Sequence, residues 1–337
     1  MAGERIRELR LFVLKEQADA LLQEMILSGG VEFLSPEAAV ANVLSPENGA
    51  EDAQRAERDR LQRALEILAV HAPEKPRLFS SKIQIWTASF LDFRPLAAAQ
   101  LRAERIVDLD ARLRVAAAEQ ERIQKRMAEL QPWSAWAVPL DCAGTAQCCV
   151  LFGTAPASAR FAALQKSLRA VTAAAELTLV SKDRTRQYLE LICFRSMREQ
   201  CTAALQKFGF CEMDVAVTGT AAEALAAEQA ALEQVMRTQE TLRTELAAMA
   251  VFRPELQLGF DRLTLRIAAE TVKASLCATA QTVHLRAAAT SQNAAMLEAM
   301  FERFGCAWEW SDPDPAFRRR IQPPAFALRY TEISSEI

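Results

Sequence analysis

The sequence predicts a mainly helical α+β fold, a dumbbell in which two small α/β lobes are joined by a long antiparallel coiled-coil helical hairpin. Two observations predict the hairpin, because the stretches 102–131 and 220–250 both carry apolar side chains at alternating steps of three and four residues. A third observation predicts the lobes: strand and helix patterns fill the segment between these stretches and recur at both chain ends.

Each long stretch carries a narrow apolar stripe, which is stable in water only against a partner helix. The stripe residues are Ile106, Leu109, Leu113, Ile123, Met127 and Leu130 in the first stretch, and Leu225, Leu232, Val235, Leu242, Leu246 and Met249 in the second. Because the segment between the two stretches is able to fold by itself, we predict that the two helices pair with each other in antiparallel orientation. Gln120 and Gln239 interrupt the stripes, and they either set the register of the pair or are tolerated defects.

Composition and charge exclude several classes of protein. The chain has 337 residues, enough for two or three modules, and its low aromatic content of 7% is typical of helical proteins. A net charge of -3 without a broad basic stripe argues against nucleic acid as a partner. Charged residues from Glu4 onward leave no room for a signal peptide, and no apolar run is continuous enough to span a membrane.

The sequence also lacks the motifs of common active sites. It has no phosphate-binding loop, nucleophile elbow, paired-carboxylate motif or zinc-ligand spacing, so we predict no enzyme activity, no cofactor and no small-molecule substrate. The eight cysteines form no C-x-x-C pair, and the chain has only two histidines, His71 and His284. This pattern favours free buried thiols over disulfides or a metal site.

The chain opens with a strand–helix–strand pattern. In order, the pattern predicts a strand over 6–14, a helix over 17–28, a strand over 31–34 and a second helix over 51–71. Pro73 and Pro76 end that second helix. The following stretch, 77–95, shows no period that favours helix or strand.

The segment between the long helices predicts the order strand, helix, strand, strand, helix, strand. Its strands are predicted over 147–152, 176–180, 186–194 and 210–217. Ser158 is the predicted cap of the first helix, and Ser196 with Glu199 predicts a capping box at the second. This βαββαβ order is the ferredoxin-like pattern.

The end of the chain repeats the opening pattern, with a strand, a helix and a strand between residues 281 and 311. A glycine stops the helix before the returning strand three times, at Gly29, Gly209 and Gly305. A single unit of this kind buries its sheet and its helix poorly, so we expect the first and last units to combine into one lobe of the same type.

These patterns divide the chain into six segments. They are 1–94, the first half of a proximal lobe with an accessory helix; 95–132, the outgoing long helix; 133–218, the distal lobe; 219–280, the returning long helix with a kink near Pro254; 281–312, the second half of the proximal lobe; and 313–337, a linker.

The opening residues and the order of elements resemble one known family. Residues 4–15, Glu-Arg-Ile-Arg-Glu-Leu-Arg-Leu-Phe-Val-Leu-Lys, with the helix and the Gly-Gly-Val-Glu-Phe that follow, are similar to the opening of subunit I, or subunit a, of the rotary V-type ATPase. Together with the long hairpin, the inserted lobe and the returning terminal unit, the resemblance covers nearly the whole chain. It corresponds to the cytoplasmic N-terminal region of that subunit.

The resemblance implies a non-catalytic stator arm on the cytoplasmic side of the membrane. Such an arm anchors the peripheral stalks, formed by subunits E and G, and links them to the membrane part of the ATPase that transports protons. Residues 313–337 are then a linker toward that membrane part, which these 337 residues do not contain. Within the linker, Arg318, Arg319 and Arg320 either approach lipid headgroups or are simply solvated. A generic coiled-coil scaffold of another assembly is the alternative function.

The predicted partner-binding surface is the face of the middle sheet that its two helices leave uncovered. Strand alternation places Tyr188, Glu190, Ile192, Glu212 and Asp214 on this face. The set is acidic with one aromatic anchor, which suits a basic amphipathic helix of a peripheral stalk. An ordinary solvated sheet face is the alternative interpretation.

Overall fold

The computed structural model describes residues 6–34, 48–74, 83–213, 217–274, 276–312 and 330–332. Contacts divide the chain into two units, a terminal unit of residues 1–110 with 244–337 and a middle unit of residues 111–243. Among the described residues, none of the helices combines the length and the apolar character that crossing a membrane requires.

The described residues form strands and helices, with short 3-10 turns between some of them. In order they are β1 (Ile6–Leu14), α1 (Lys15–Ser28), β2 (Val31–Leu34), α2 (Asn48–His71), β3 (Ile83–Ile85), α3 (Thr87–Phe90), α4 (Leu96–Leu130), β4 (Cys148–Pro156), α5 (Phe161–Val171), β5 (Glu176–Lys182), β6 (Arg186–Phe194), α6 (Arg198–Gln206), β7 (Cys211–Glu212), α7 (Ala221–Ala248), α8 (Arg253–Lys273), β8 (Cys277–Ala278), β9 (Thr282–Thr290), α9 (Ala294–Arg303), β10 (Ala307–Ser311) and β11 (Tyr330–Glu332). The 3-10 turns are Gln131–Trp133, Arg195–Met197 and Met249–Phe252.

The main sheet of the terminal unit is built from both ends of the chain. Its strands lie in the order β10–β1–β9–β2, every neighbour is antiparallel, and β8 pairs with β9. Leu11 of β1 lies opposite Leu285 on one side and Trp308 on the other. The core-facing side chains of this sheet pack under α1 and α9, with Leu22 and Phe301 fully buried. The predicted combination of the first and last units is confirmed.

The sheet of the middle unit has the same order, read from the opposite edge. Its strands lie as β5–β6–β4–β7, and again every neighbouring pair is antiparallel. In chain order within each unit, both sheets therefore have the arrangement 4-1-3-2 that a βαββαβ chain with right-handed crossovers produces. The predicted ferredoxin-like lobes are confirmed by this order, although β7 is described only over Cys211–Glu212.

Three of the helix-to-strand turns share a glycine with a positive φ angle. Gly29, Gly209 and Gly305 have φ angles of 67°, 81° and 60°, in the left-handed region where other residues are strained. In all three cases the glycine follows a helix and precedes a strand. The repeated glycine in the sequence thus reports a repeated C-terminal helix stop.

Three helices of the terminal unit pack closely at Gly259. A side-chain carbon at this position of α8 would lie 3.2 Å from Ala99 of α4 and 3.3 Å from Leu61 of α2, so any larger residue would require these neighbours to shift by a few tenths of an ångström. Arg253, at the start of α8, donates a hydrogen bond to the carbonyl of Leu68 at 3.0 Å and so holds the end of α2. Pro254 lies in the first turn of α8, directly after the 3-10 turn, and the helix is interrupted where a kink is predicted.

Within the middle unit, α7 lies antiparallel to the second half of α4. Gln239 of α7 contacts Ala116 and Gln120 of α4, whereas Glu228, earlier in α7, pairs with Arg126, later in α4. Leu113, Ile123, Leu130 and Leu242 are buried, while Met127, Leu225, Leu232 and Val235 are half-buried. In the terminal unit, Ile106, Leu109 and Leu246 are buried, Met249 is half-buried, and Arg105 of α4 pairs with Glu245 of α7 at 2.9 Å.

Two predicted helix caps are wrong. Helix α5 begins at Phe161 after Arg160, not after Ser158, and α6 begins at Arg198 after a 3-10 turn that contains Ser196. Neither helix has a side-chain cap hydrogen bond. A capping box forms instead before α7, where the Glu223 carboxylate accepts from the Thr220 amide at 2.9 Å and the Thr220 hydroxyl accepts from the Glu223 amide at 3.3 Å.

The stretch without a clear period contains two short elements. It contributes β3 and α3, and β3 pairs in parallel with β11 near the chain end. Arg262 of α8 is buried and donates to the carbonyls of Phe90, at 2.8 Å, and Ser89. Those carbonyls lie at the end of α3, a helix of four residues. The conformation of this stretch is therefore stabilised by Arg262, which is about 170 positions away in the sequence.

Candidate partner-binding surface

Strand β6 divides the middle lobe into two layers of side chains. Leu189, Leu191 and Cys193 are buried in the core against α5 and α6. Tyr188, Glu190 and Ile192 alternate with them and therefore lie on the other face of the sheet. The residues that share each face are those that strand alternation indicates.

The opposite face is not open, which corrects our expectation. The segment between α4 and β4 lies over it, and Trp133 is 0% exposed with its ring 5.5 Å from the rings of both Phe152 and Tyr188. Both ring pairs meet edge to face, the preferred geometry of aromatic side chains. Leu140 and the half-buried Trp136 complete this second small core. Four large apolar side chains in eight residues, Trp133 to Leu140, needed burial, and the nearest apolar surface is this sheet face.

Glu190 lies beneath this cover and is only 4% exposed. Its carboxylate accepts a hydrogen bond from the indole N–H of Trp136 at 3.4 Å. Burial raises the pKa of Glu190, the Trp136 hydrogen bond opposes that shift, and the nearby Glu176 carboxylate raises the pKa further. A partner cannot reach this carboxylate while the segment stays in place, so Glu190 does not contribute an accessible negative charge.

The other predicted surface residues are also engaged or lie elsewhere. The Tyr188 hydroxyl donates to Asp183 at 3.0 Å, and burial, together with that carboxylate, raises the pKa of Tyr188. Glu212 is exposed at the sheet edge and pairs with Arg198 at 2.7 Å. Asp214 lies outside the described residues. Among the described residues of the predicted acidic surface, the exposed carboxylate is that of Glu212, which already has a basic partner.

A basic cluster at one end of the middle lobe is the feature that sequence reasoning missed. Five exposed cationic side chains lie in two loops and at the turn between β5 and β6, counting the strand residue on each side of that turn: Arg160, Lys182, Arg184, Arg186 and Lys207. We call this cluster the basic tip. The sequence Lys-Asp-Arg-Thr-Arg at 182–186 already indicated part of this cluster. The other two cations come from loops that lie next to this segment only in the folded chain.

Two of the eight cysteines are neighbours in the core of the middle lobe. All eight are free, and Cys149 and Cys193, direct neighbours on β4 and β6, have sulfur atoms 3.5 Å apart in the core. Burial raises the pKa of Cys193 to about 12, so the thiol stays protonated and is a poor nucleophile. Within the described ranges, no group of three or more His, Cys, Asp or Glu side chains has the geometry to hold a metal ion.

The two histidines contact different residues. His71 lies 3.4 Å from Asp110, and the His284 ring stacks on Phe12 at a centroid distance of 4.5 Å. Arg318, Arg319 and Arg320 lie outside the described residues.

One of the solved structures that are similar to this chain is a domain of a V-ATPase subunit. Neither a family model nor a curated protein matches the sequence significantly. Among solved structures, the chain is similar to the crystal structure of the cytoplasmic N-terminal domain of subunit I, homolog of subunit a, of V-ATPase. The two chains are 16% identical, the similarity covers 90% of this chain and 100% of that chain, and the TM-score is 0.46.

Proposed function

We propose that this chain is the cytoplasmic stator arm of a rotary V-type ATPase. In this role it anchors the peripheral stalks, formed by subunits E and G, and links them to the proton-translocating membrane part. The observation that supports the proposal best is the split terminal lobe, in which β1 pairs with β9 and β10 from the other end of the chain. A helical pair and a second lobe of the same strand order are inserted between the two halves. The opening residues carry the sequence resemblance to the same family.

The contacts of the helices suit a part that resists force without doing chemistry. In the middle unit, α4 and α7 are joined by the partly buried Gln239–Gln120 hydrogen bond at 2.8 Å and the Arg126–Glu228 ion pair at 2.8 Å. In the terminal unit, α8 holds the end of α2 through Arg253 and the end of α3 through Arg262. Directional polar contacts of this kind oppose sliding of one helix along another, which a purely apolar stripe resists less specifically.

The proposal is tested on the complex that contains the chain in its own cells. The full chain, tagged at its amino terminus, is purified under mild conditions and its stoichiometric partners are identified by mass spectrometry. We expect subunits E and G and the catalytic subunits of a rotary ATPase. Purification with a stoichiometric set of unrelated proteins would support a scaffold of another assembly and refute the stator role.

A further inference from the structure

We propose that the basic tip of the middle lobe docks an acidic segment of a protein partner. The inference rests on the proposed function, because a peripheral-stalk subunit is then the partner that carries the segment. The binding surface proposed here is basic, whereas the sheet face predicted from the sequence is acidic and covered.

The basic tip is a single surface because its three loops are tied together. The Ala157 amide donates to the Thr185 carbonyl at 2.8 Å, which joins the loop after β4 to the turn between β5 and β6. The buried Gln187 side chain reinforces this junction by donating to the carbonyls of Pro156 at 3.0 Å and Ala159 at 2.6 Å. Gly209, in the loop after α6, lies against the ring of Pro156. Binding would therefore order little additional backbone, which reduces its entropic cost.

The charge of the basic tip is not neutralised within the lobe. Its loops contain one carboxylate, Asp183, against five cations. Asp183 is committed to the turn, where it accepts hydrogen bonds from the amides of Thr185 at 2.6 Å and Arg186 at 2.7 Å and from the Tyr188 hydroxyl at 3.0 Å. These donors hold the pKa of Asp183 well below its usual range, so it stays ionised and engaged in the turn.

None of the five cations of the basic tip has a carboxylate partner among the described residues, in contrast with other arginines of the same unit. Arg198 pairs with Glu212 at 2.7 Å, and Arg122 pairs with Glu119 at 2.8 Å. An exposed group of unpaired cations at one end of a small lobe raises the local potential and attracts an acidic partner during encounter.

The surroundings favour a protein segment over a lipid surface. Surface-binding membrane segments combine basic residues with exposed large apolar side chains that enter the lipid. The loops 157–160, 183–185 and 207–209 contain no exposed large apolar side chain, and all of their residues are described. Three of the five cations are arginines, whose planar guanidinium group binds carboxylates in a bidentate manner.

The test reverses charge at the basic tip and, in a matched control, elsewhere in the same unit. The tip variant carries Lys182→Glu, Arg184→Glu and Lys207→Glu. The control carries Lys125→Glu, Lys166→Glu and Arg169→Glu, three exposed cations of α4 and α5 outside the tip loops. Both variants change the formal charge equally. Binding of the full chain to a purified heterodimer of stalk subunits E and G is measured at about 0.05 M and about 0.3 M salt, since screening weakens exposed charge pairs.

We expect the tip variant to bind at least about tenfold more weakly than the control and to lose most of the salt dependence. Equal binding by the tip variant and the wild type would overturn the inference alone. No binding by the wild type would overturn the proposed function together with the inference. If the tip variant has a lower thermal midpoint than the control, the neutral variant Lys182→Gln, Arg184→Gln and Lys207→Gln replaces it.

Vesicles of phosphatidylcholine with phosphatidylserine test the lipid alternative. We expect the wild type and the tip variant to bind these vesicles equally weakly. Loss of vesicle binding in the tip variant, with unchanged binding to the heterodimer, would assign the basic tip to anionic lipid and overturn the inference.

Discussion

Two buried polar side chains of the middle unit have contrasting environments. Gln239 is 3% exposed, and its amide donates to Gln120 and to the Ala116 carbonyl while accepting from Arg243. It therefore forms a hydrogen-bonded connection between the two helices. Glu190 is 4% exposed, and among the described residues its side chain accepts only the long hydrogen bond from Trp136. Burial without a cation leaves its ionised form unfavourable.

Glu190→Gln is expected to stabilise the folded protein at pH 7. The amide oxygen still accepts from Trp136, while the buried charge is removed. Because the folded-state pKa lies above its ordinary value of 4.5, the folded state binds more protons than the unfolded state between the two pKa values, and stability falls as pH rises through that window. The free energy of unfolding, measured with urea at pH 7 and about pH 4, should rise in the variant only at the higher pH.

The matched control for this measurement is Glu199→Gln, which changes an exposed carboxylate of α6 in the same lobe. It should leave the difference between the two pH values unchanged. An equal effect of the two substitutions, or a loss of stability in Glu190→Gln at pH 7, would mean that the burial of Glu190 does not oppose its ionisation.

At the scale of elements, the apolar stripe of α7 includes buried side chains and is therefore sensitive to an introduced charge. Leu242 is 3% exposed, and Thr241, its neighbour on the same helix, is exposed. An aspartate at 242 would place an unpaired charge where an apolar side chain is buried, whereas one at 241 would be solvated. Both substitutions change the helix propensity of α7, but only the one at 242 disturbs its pairing with another helix. Comparing them therefore isolates the effect on helix pairing.

Leu242→Asp is expected to lower the free energy of unfolding by about 3 to 5 kcal/mol, the cost of an uncompensated buried charge. Thr241→Asp should change it by less than about 0.5 kcal/mol, as exposed substitutions usually do. Urea unfolding followed by circular dichroism at 222 nm, the ordinary helix signal, measures both. Similar midpoints for the two variants would refute the pairing of α7 through this stripe.

At the scale of the whole molecule, the two lobes share one strand order but differ in the continuity of the chain. All four strands of the middle sheet come from residues 148–212, whereas β1 in the terminal sheet pairs with strands about 280 to 300 residues away. Closing such a distance costs entropy that only the complete sheet repays. The middle unit therefore has the contacts to fold alone, and the first part of the terminal unit does not.

The fragment 111–243 is expected to unfold cooperatively on its own, and the fragment 1–110 is not, because β1 lacks both of its neighbours without β9 and β10. Thermal denaturation followed by circular dichroism tests both fragments. Adding the fragment 244–337 to 1–110 should restore a cooperative transition, and this mixture is the control for damage by cleavage. A cooperative transition of 1–110 alone would contradict the split-lobe interpretation.

The sequence by itself determined the elements whose cause is local. The stripes of α4 and α7, the glycines that stop three helices and the alternation of β6 each depend on neighbouring residues, and all were legible without coordinates. Helix caps were less predictable. Ser196 and Glu199 have the spacing of a capping box but follow a 3-10 turn, while the box that forms uses Thr220 and Glu223.

Only the tertiary structure decided which surfaces are covered and which are exposed. Alternation assigned Glu190 to a sheet face, but the burial of that face depends on Trp133, which lies more than 50 residues earlier in the chain. The basic tip likewise gains its charge from loops that are separate in sequence and adjacent in space. Periodicity is a property of neighbouring residues, whereas burial and charge density are sums over everything that packs nearby, so only the folded chain determines them.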